Sequence, residues 1–541
     1  MTTRIKVRHD TAENWYNANP VLALGEPGFE VNTNRVKYGD GTTSWNSLAY
    51  TGAGANLQGD INIGYEAGSS NQSCESIAIG NYAGHNNQCY HSIAIGQGAG
   101  NCCQSALAVA IGRSAGVYDQ HFDAIAVGHL AGGCSQKQGG VAIGAWAARY
   151  WQDEYAVAIG HHAATEAQES GAVAVGENAG HCHQQYHSVA IGSCAANCHQ
   201  CALAVAIGRA AGAVYQGFNA IAIGHLAGAC DQGCGSIAIG SNAGRYDQEN
   251  NAVAIGHHAA SCGQNSCAIA IGNYAASNHA QGSGAIAIGA CAVVCGYQQD
   301  HSIAIGVAAG ASGQSYVSVA IGRSAASCGQ GPSAVAIGHL TGALCQSQGA
   351  VAVGSYAARY CQSQYSTAIG YSAAKEWQQD YAVAIGAHAG QGYGSVYVSY
   401  VSGNGANTIT VDNASNVYPG MAIIGAQYGD PTTDGTITVS SVDGNNVTFN
   451  AAMGNTAPVY GEIHFYGWQG QGAVAIGPYA SANAQHPNSI VINTSMAGAQ
   501  SVGANTTVIK TLRTVSGGSV PGGFSPVYYN NATGELIVVT P

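Results

Sequence analysis

A four-residue phrase, Ile/Val-Ala-Ile/Val-Gly, recurs along this chain at a fixed interval, and that interval limits the possible folds more than any other feature. The phrase ends at Gly80 and again every 16 residues through Gly272. Two steps of 17 residues lead to Gly289 and Gly306, and the shorter step resumes through Gly386. A degenerate copy ends at Gly64 and an isolated one at Gly477. A second column keeps the same register. Eight residues after the glycine stands Gln, as at Gln88, Gln104, Gln120, Gln136, Gln152 and Gln168. It slips by one in the longer steps, to Gln281 and Gln298, and returns as late as Gln485. Self-similarity at a short period marks a repeat architecture, in which each unit is covered by its neighbours.

The phrase is a poor helix former, being rich in β-branched residues and Gly. As a strand it turns Ile77 and Ile79 to one side and Ala78 to the other. The β-branched pair suits a buried pleated surface, so the expectation is Ile and Val inward and a smooth Ala face outward, against which neighbouring chains can pack. The glycine allows a bend with positive φ or a close backbone approach. Coils of this kind stack at about 4.8 Å. Gln then lies on Gln, and the column is expected to form an amide ladder that satisfies its buried polar groups.

Composition agrees with a thin interior. Only 8% of the residues are charged, and the 541 residues include just 6 Phe and 4 Met. A net charge of −12 argues against a nucleic-acid partner. The polar start, MTTRIKVRHDTAENWY, has no apolar signal core. No apolar run reaches spanning length, so no membrane insertion is expected. Synthesis in a cytoplasm is the expectation, with the 18 Cys made as thiols.

Cys recurs six residues after the glycine, at Cys102, Cys134, Cys182, Cys198, Cys230, Cys262, Cys295 and Cys328. The favoured reading is a small, buried, apolar filler. A disulfide between Cys182 and Cys198 on adjacent coils is an alternative, and metal binding a third. Strand alternation places His181 and His183 on one face, which makes them the candidate metal ligands, through three copies around a threefold axis. His161-His162 and His257-His258 read as solvated turn residues. No cofactor is expected. No nucleophile elbow, zinc-protease or phosphate-loop motif is present. Asp153 and Glu154 sit together in a turn, as do Asp247 and Glu249, but nothing selects from the sparse carboxylates the pair that a glycan depolymerase needs. The chain therefore reads as a non-enzyme.

Between residues 391 and 470 the repeat stops. Alternating apolar residues and turn signals such as Asp443-Gly444 give an inserted small β-domain. Tyr393, Tyr397, Tyr400, Tyr428, Tyr460, Tyr466 and Trp468 are candidates for stacking on the sugar rings of a receptor, or else form that domain's own core. The resulting division is an N-terminal module over 1–55, repeats over 56–390, the insertion over 391–470, a resumed repeat over 471–495 and a C-terminal tip over 496–541.

Two resemblances add to this reading. SIAIGNYAG (Ser76–Gly84) and SVAIGSCAA (Ser188–Ala196) resemble the head repeats of trimeric autotransporter adhesins, over roughly 57–390 and 471–495. That resemblance implies an all-β, left-handed parallel β-roll solenoid, built as a homotrimeric rod. The period and the Gln column differ from that family, and no sustained heptads or membrane anchor accompany the repeats. The N-terminus, through NPVLALGEPGFE and VKYGDGTTSWNSL within residues 2–50, resembles the small module of bacteriophage tail-fibre and tropism-determinant proteins. VYYNNATGELIVV (Val527–Val539) resembles the terminal strand pair of viral fibres, with a turn over Asn531–Gly534. These imply a virion tail-fibre subunit. Its partners would be tail or baseplate proteins at the N-terminal module, and a host surface glycan or protein receptor elsewhere. The rival readings are a bacterial surface adhesin or self-assembling filament, and a glycan depolymerase.

Overall fold

The structure is a computed structural model. It describes the chain except residues 1–5, 52–53, 56–58, 392–393, 403–407, 412–421, 424–438, 450–461, 468, 482–484, 494–506, 511–526, 530–535 and 539–541. Two compact units divide at Gly235 and Ser236.

The first unit opens with a four-stranded sheet. Arg8–Asp10 runs parallel to Pro27–Glu30, which pairs antiparallel with Arg35–Tyr38, and Tyr50–Thr51 adds the outer strand. A helix, Ala12–Ala18, crosses between the first two strands; the Thr11 side chain caps it by accepting from the Asn14 amide. Its Trp15 stacks on Trp45 with ring centroids 4.0 Å apart, and Leu22 closes this small core. Gly28 is required here, since a Cβ would stand 2.4 Å from the Trp45 ring.

The 16-residue repeats then coil. Each coil in the middle of this unit carries two short strands, such as Tyr150–Gln152 and Val157–Ile159. Both pair parallel and in register with the next coil, Gln152 opposite Gln168 and Val157 opposite Val173. The stack is the parallel β-solenoid that the period implies.

Side-chain direction is the reverse of the expectation. Ala158 is fully buried, whereas Ile159 is 37% exposed and Val157 half-buried. The same inward Ala and outward Ile/Val pair recurs at Ile93–Ile95, Val109–Ile111 and Val141–Ile143. The cause is volume. The space inside a coil is already occupied by the Gln side chain and by the Ala residues that follow the glycine, Ala163 and Ala164 in this coil. Only a methyl group fits between them, so the branched side chains face outward.

The repeat glycine combines both of its possible uses. Gly160 has φ +135, and a Cβ on it would lie 2.5 Å from the carbonyl oxygen of Gly176 in the next coil. Successive coils therefore touch backbone to backbone at this corner. The Gln column lies inside. Gln152 is fully buried. Its Nε2 lies 3.0 Å from each of Gln168 Oε1, Val141 O and Ala156 O, three acceptors served by two N–H groups, one of them shared. Its Oε1 accepts from Gln136 Nε2 at 3.0 Å. Gln88, Gln104 and Gln120 repeat the pattern.

The second unit continues in the same manner around an interior of Ala residues such as Ala254, Ala270 and Ala287. The 17-residue coils keep the ladder, Gln264 to Gln281 and Gln281 to Gln298 at 3.0 Å each. The extra residue falls between glycine and Gln, and the strand there shrinks to single bridges. After Val383–Ile385 the chain leaves the stack. Gly394–Ser402 and Glu462–Gly467 pair antiparallel, Gly394 opposite Gly467, as the third and second strands of a six-stranded sheet. Exit and return are thus neighbours, and the next coil closes directly, Val383 opposite Val474. Gln469, inside the 391–470 segment, already occupies the ladder, accepting from Gln378 at 2.9 Å and donating to Gln485 at 3.1 Å. Beyond it, Ile490–Asn493 and Thr507–Lys510 stack in parallel. Val527–Tyr529 and Leu536–Val538 form an antiparallel pair; the turn expected over Asn531–Gly534 lies outside the described residues.

Candidate functional site

With its interior filled by Ala and Gln, the solenoid offers function only on its surface. The most continuous feature there is apolar. In the first unit Ile111, Ile143, Ile159, Ile191 and Ile207 stand one above another, each more than one-third exposed. Val109, Val141, Val157, Val189 and Val205 run beside them, half-buried. Covering the exposed third of one such side chain is worth about 0.5–1 kcal/mol, a third of the value of full burial, and the gain repeats on each coil. A straight apolar strip of this length is the mark of an interface.

A second set of columns is aromatic. The coil rise brings rings on successive coils to stacking distance. His183 lies flat on His199, centroids 5.2 Å apart and 7° from parallel, and His199 on Tyr215 at 4.9 Å. Trp146 stacks on His162 at 5.4 Å, and His258 on Tyr274 at 5.0 Å. His161-His162 and His257-His258 are therefore half-committed: the first ring of each pair is exposed, and the second is sandwiched. Burial, followed by the neighbouring His161, holds the His162 imidazole below its ordinary value of 6.5. Burial and His257 do the same to His258.

The expected pairing of His181 with His183 is corrected. His183 has φ +53, so the backbone does not alternate there. His183 joins the stack with His199, while His181 Nδ1 sits 2.9 Å from Cys182 Sγ and its ring 5.9 Å from that of His162. Among the described residues no group of three or more His, Cys, Asp and Glu is placed to hold a metal ion.

The buried-filler reading of the cysteines is also corrected. All 18 are free thiols, and none is buried. Those of the column at Cys102, Cys134, Cys182 and Cys198 open the second strand of their coils, outside the Ala-and-Gln interior that excludes anything larger. Cys182 and Cys198 are directly opposed in register. Partial burial, then the adjacent Cys198, raises the Cys182 thiol to about 12, so it is held protonated rather than as a reactive thiolate.

Of the receptor candidates, Tyr397 lies opposite His464, Tyr400 opposite Val411, and Tyr466 opposite both Ser395 and Ala422, all on the inserted sheet. Tyr393, Tyr428, Tyr460 and Trp468 lie outside the described residues. The structure adds a feature that the sequence analysis missed. Arg113 Nη2 donates to His129 Nε2 at 2.7 Å, and the Arg149 guanidinium lies 4.0 Å from the Trp146 ring centre. Reading the residues after each repeat glycine as columns of their own would have found it.

Among the described residues no helix is long and apolar enough to cross a membrane. No curated protein and no solved structure gives a match to the chain. Residues 5–43, which hold the buried Trp15 and the strand pair Pro27–Glu30 and Arg35–Tyr38, match the family described as the major tropism determinant N-terminal domain.

Proposed function

We propose that this chain is the subunit of a bacteriophage tail fibre, in which a β-solenoid shaft holds a receptor-contacting element away from the virion. One observation carries the reading: a stretch matching the tropism determinant N-terminal domain leads into a self-stacking solenoid. The N-terminal module attaches to tail or baseplate proteins. Its work is mechanical and adhesive rather than catalytic. The inserted segment over 391–470, through Tyr393, Tyr397, Tyr400, Tyr428, Tyr460, Tyr466 and Trp468 as the candidate residues, contacts a host glycan or protein. Electron microscopy of virions labelled with antibody to residues 391–470 tests this. Label at the distal part of a fibre is the expected result; label on the capsid wall, or none on intact virions, overturns it.

The shaft is proposed to be a homotrimer. The support is the outward Ile/Val strip, since an apolar row repeated on every coil needs a partner with the same repeat. A strip that faces inward in the assembly replaces the smooth Ala face anticipated from the sequence. The expected sedimentation mass is three times the 54.4 kDa of the chain. Ile143→Glu combined with Ile159→Glu is expected to release monomer, because each buried carboxylate carries a desolvation penalty of several kcal/mol. A wild-type chain that sediments as a monomer removes the proposal.

A further inference from the structure

The solenoid contains few cations, and their placement is not random. Of the 15 Lys and Arg, only eight lie between Gly64 and Gly390. Six of these form three pairs, each 36 residues apart: Arg113 with Arg149, Arg209 with Arg245, and Arg323 with Arg359. Each pair encloses a His-Leu that begins 16 residues after the first Arg, at His129, His225 and His339. Each second Arg is followed by Tyr. The pattern is therefore a longer period laid over the coil.

The first unit shows what one pair builds. Arg113 is exposed and hydrogen-bonded to His129. The His129 ring meets Trp146 edge-on at 5.9 Å, and Arg149 lies between Trp146 and Tyr150, at 4.0 and 4.7 Å from their ring centres. Arg209 donates to His225 in the same way, at 2.6 Å. In the second unit His339 meets Tyr356 at 5.3 Å, and Arg359 lies 5.5 and 5.1 Å from the Tyr356 and Tyr360 rings. Among the described residues none of these six arginines is within ion-pair distance of a carboxylate. The Arg245 Nε is buried without any hydrogen-bond partner.

A guanidinium stacked on an aromatic ring has its plane fixed, while the N–H groups along its edges remain available for a bidentate acceptor such as a carboxylate. The half-buried rings beside it, Trp146 and Tyr150 in the first row, add apolar edge for a C–H surface. Arg113 and Arg149 stand two coils apart, which separates them by about 10 Å along the stack at the usual strand spacing, with a further offset around the coil. A single small anion cannot bridge them, whereas an extended chain with spaced charges can. Nucleic acid demands a denser run of cations than two per site on an acidic protein. We propose that the Arg113–His129–Trp146–Arg149 row, and its counterpart Arg323–His339–Tyr356–Arg359, are binding sites for a carboxylated polysaccharide. This holds whether or not the chain is part of a virion.

Calorimetric titration of the full chain with polygalacturonate, dextran and inorganic polyphosphate tests the proposal. Polygalacturonate is expected to bind, more weakly as salt rises, and dextran is not. Replacing Arg113, Arg149, Arg323 and Arg359 together by Ala is expected to weaken binding at least tenfold. The matching four-Lys variant is expected to fall between that variant and wild type, because Lys keeps the charge and loses the planar fork. The four-Lys variant also decides the matter if the Ala variant melts early. The proposal is overturned by no binding of polygalacturonate, by equal binding of dextran, by polyphosphate binding as tightly as the sugar acid, or by affinity unchanged in the Lys variant.

Discussion

Gly160→Ala is expected to destabilise the solenoid by about 2–6 kcal/mol, from about 1–3 of backbone strain and a similar amount of overpacking. The added methyl would meet the Gly176 carbonyl oxygen at 2.5 Å and its carbon at 2.7 Å, at a φ of +135. The neighbour is backbone, which cannot rotate away as a side chain does. Relief requires parting two coils, and that stretches the flanking bonds, such as Gly176 N–H to Ile159 O at 2.8 Å. Gly329→Ala separates the two causes. It too has positive φ, +63, but nothing lies within 4 Å of its Cβ position. Its cost is expected to be about 1 kcal/mol, the left-handed penalty alone. Denaturant midpoints measure both. Because each coil contacts only its neighbours, hydrogen exchange should localise the Gly160→Ala damage to the coils on either side. Equal midpoints for the two variants would falsify the backbone-contact account.

This contrast also shows what a sequence can and cannot reveal in such a chain. The step of 16 and the Gln column are visible because stacking places like on like, and each column must solve one local problem repeatedly. The direction of a strand's two faces is a different kind of information. Alternation says that Ile77 and Ala78 lie on opposite sides, but it is symmetric as to which side is inside. The usual preference for burying branched residues gives the wrong sign here, because the Gln amide and the Ala residues of the turn leave room for nothing larger. The cysteines follow for the same reason. His181 and His183 fail through the backbone: the residue before each ladder Gln takes positive φ at Asn87, Asp119, Ser135 and His183 alike, so period-two reasoning does not apply there. Asn or Asp at that position in some coils, as at Asn71, Asn87, Asp119, Asp231 and Asp247, was the available signal. The inserted segment was visible as a gap in the period. That its ends pair as adjacent strands, which lets Gln469 rejoin the ladder, depends on long-range contacts that no local pattern encodes.

Substitutions in the ladder should have the most informative effects, because its groups have no access to water. In Gln152→Leu the shape is nearly kept, and the two amide N–H donors and the bond accepted from Gln136 are lost. Ala156 O keeps its backbone donor, Val141 N–H at 2.9 Å. Gln136 Nε2 keeps Ile125 O and Gly140 O. Gln168 Oε1 loses its donor within a fully enclosed column. One orphaned acceptor at about 1–3 kcal/mol, with several lost bonds at about 1 each, gives an expected loss of about 3–5 kcal/mol. Gln152→Glu sharpens the argument. An ionised carboxylate can still accept from Gln136, yet it would face the oxygens of Val141, Ala156 and Gln168, all acceptors. The side chain must therefore be protonated in the folded state, which raises its pKa above the unfolded value of about 4.3. The folded form then binds the extra proton, so stability falls as pH rises from about 4 toward the raised value. Thermal melting is expected to show this variant markedly more stable at pH 5 than at pH 8. Wild type, with an uncharged amide in that position, lacks this contribution. A Gln152→Glu protein that melts alike at both pH values would mean that water reaches the column, and that the coils are not closed around it.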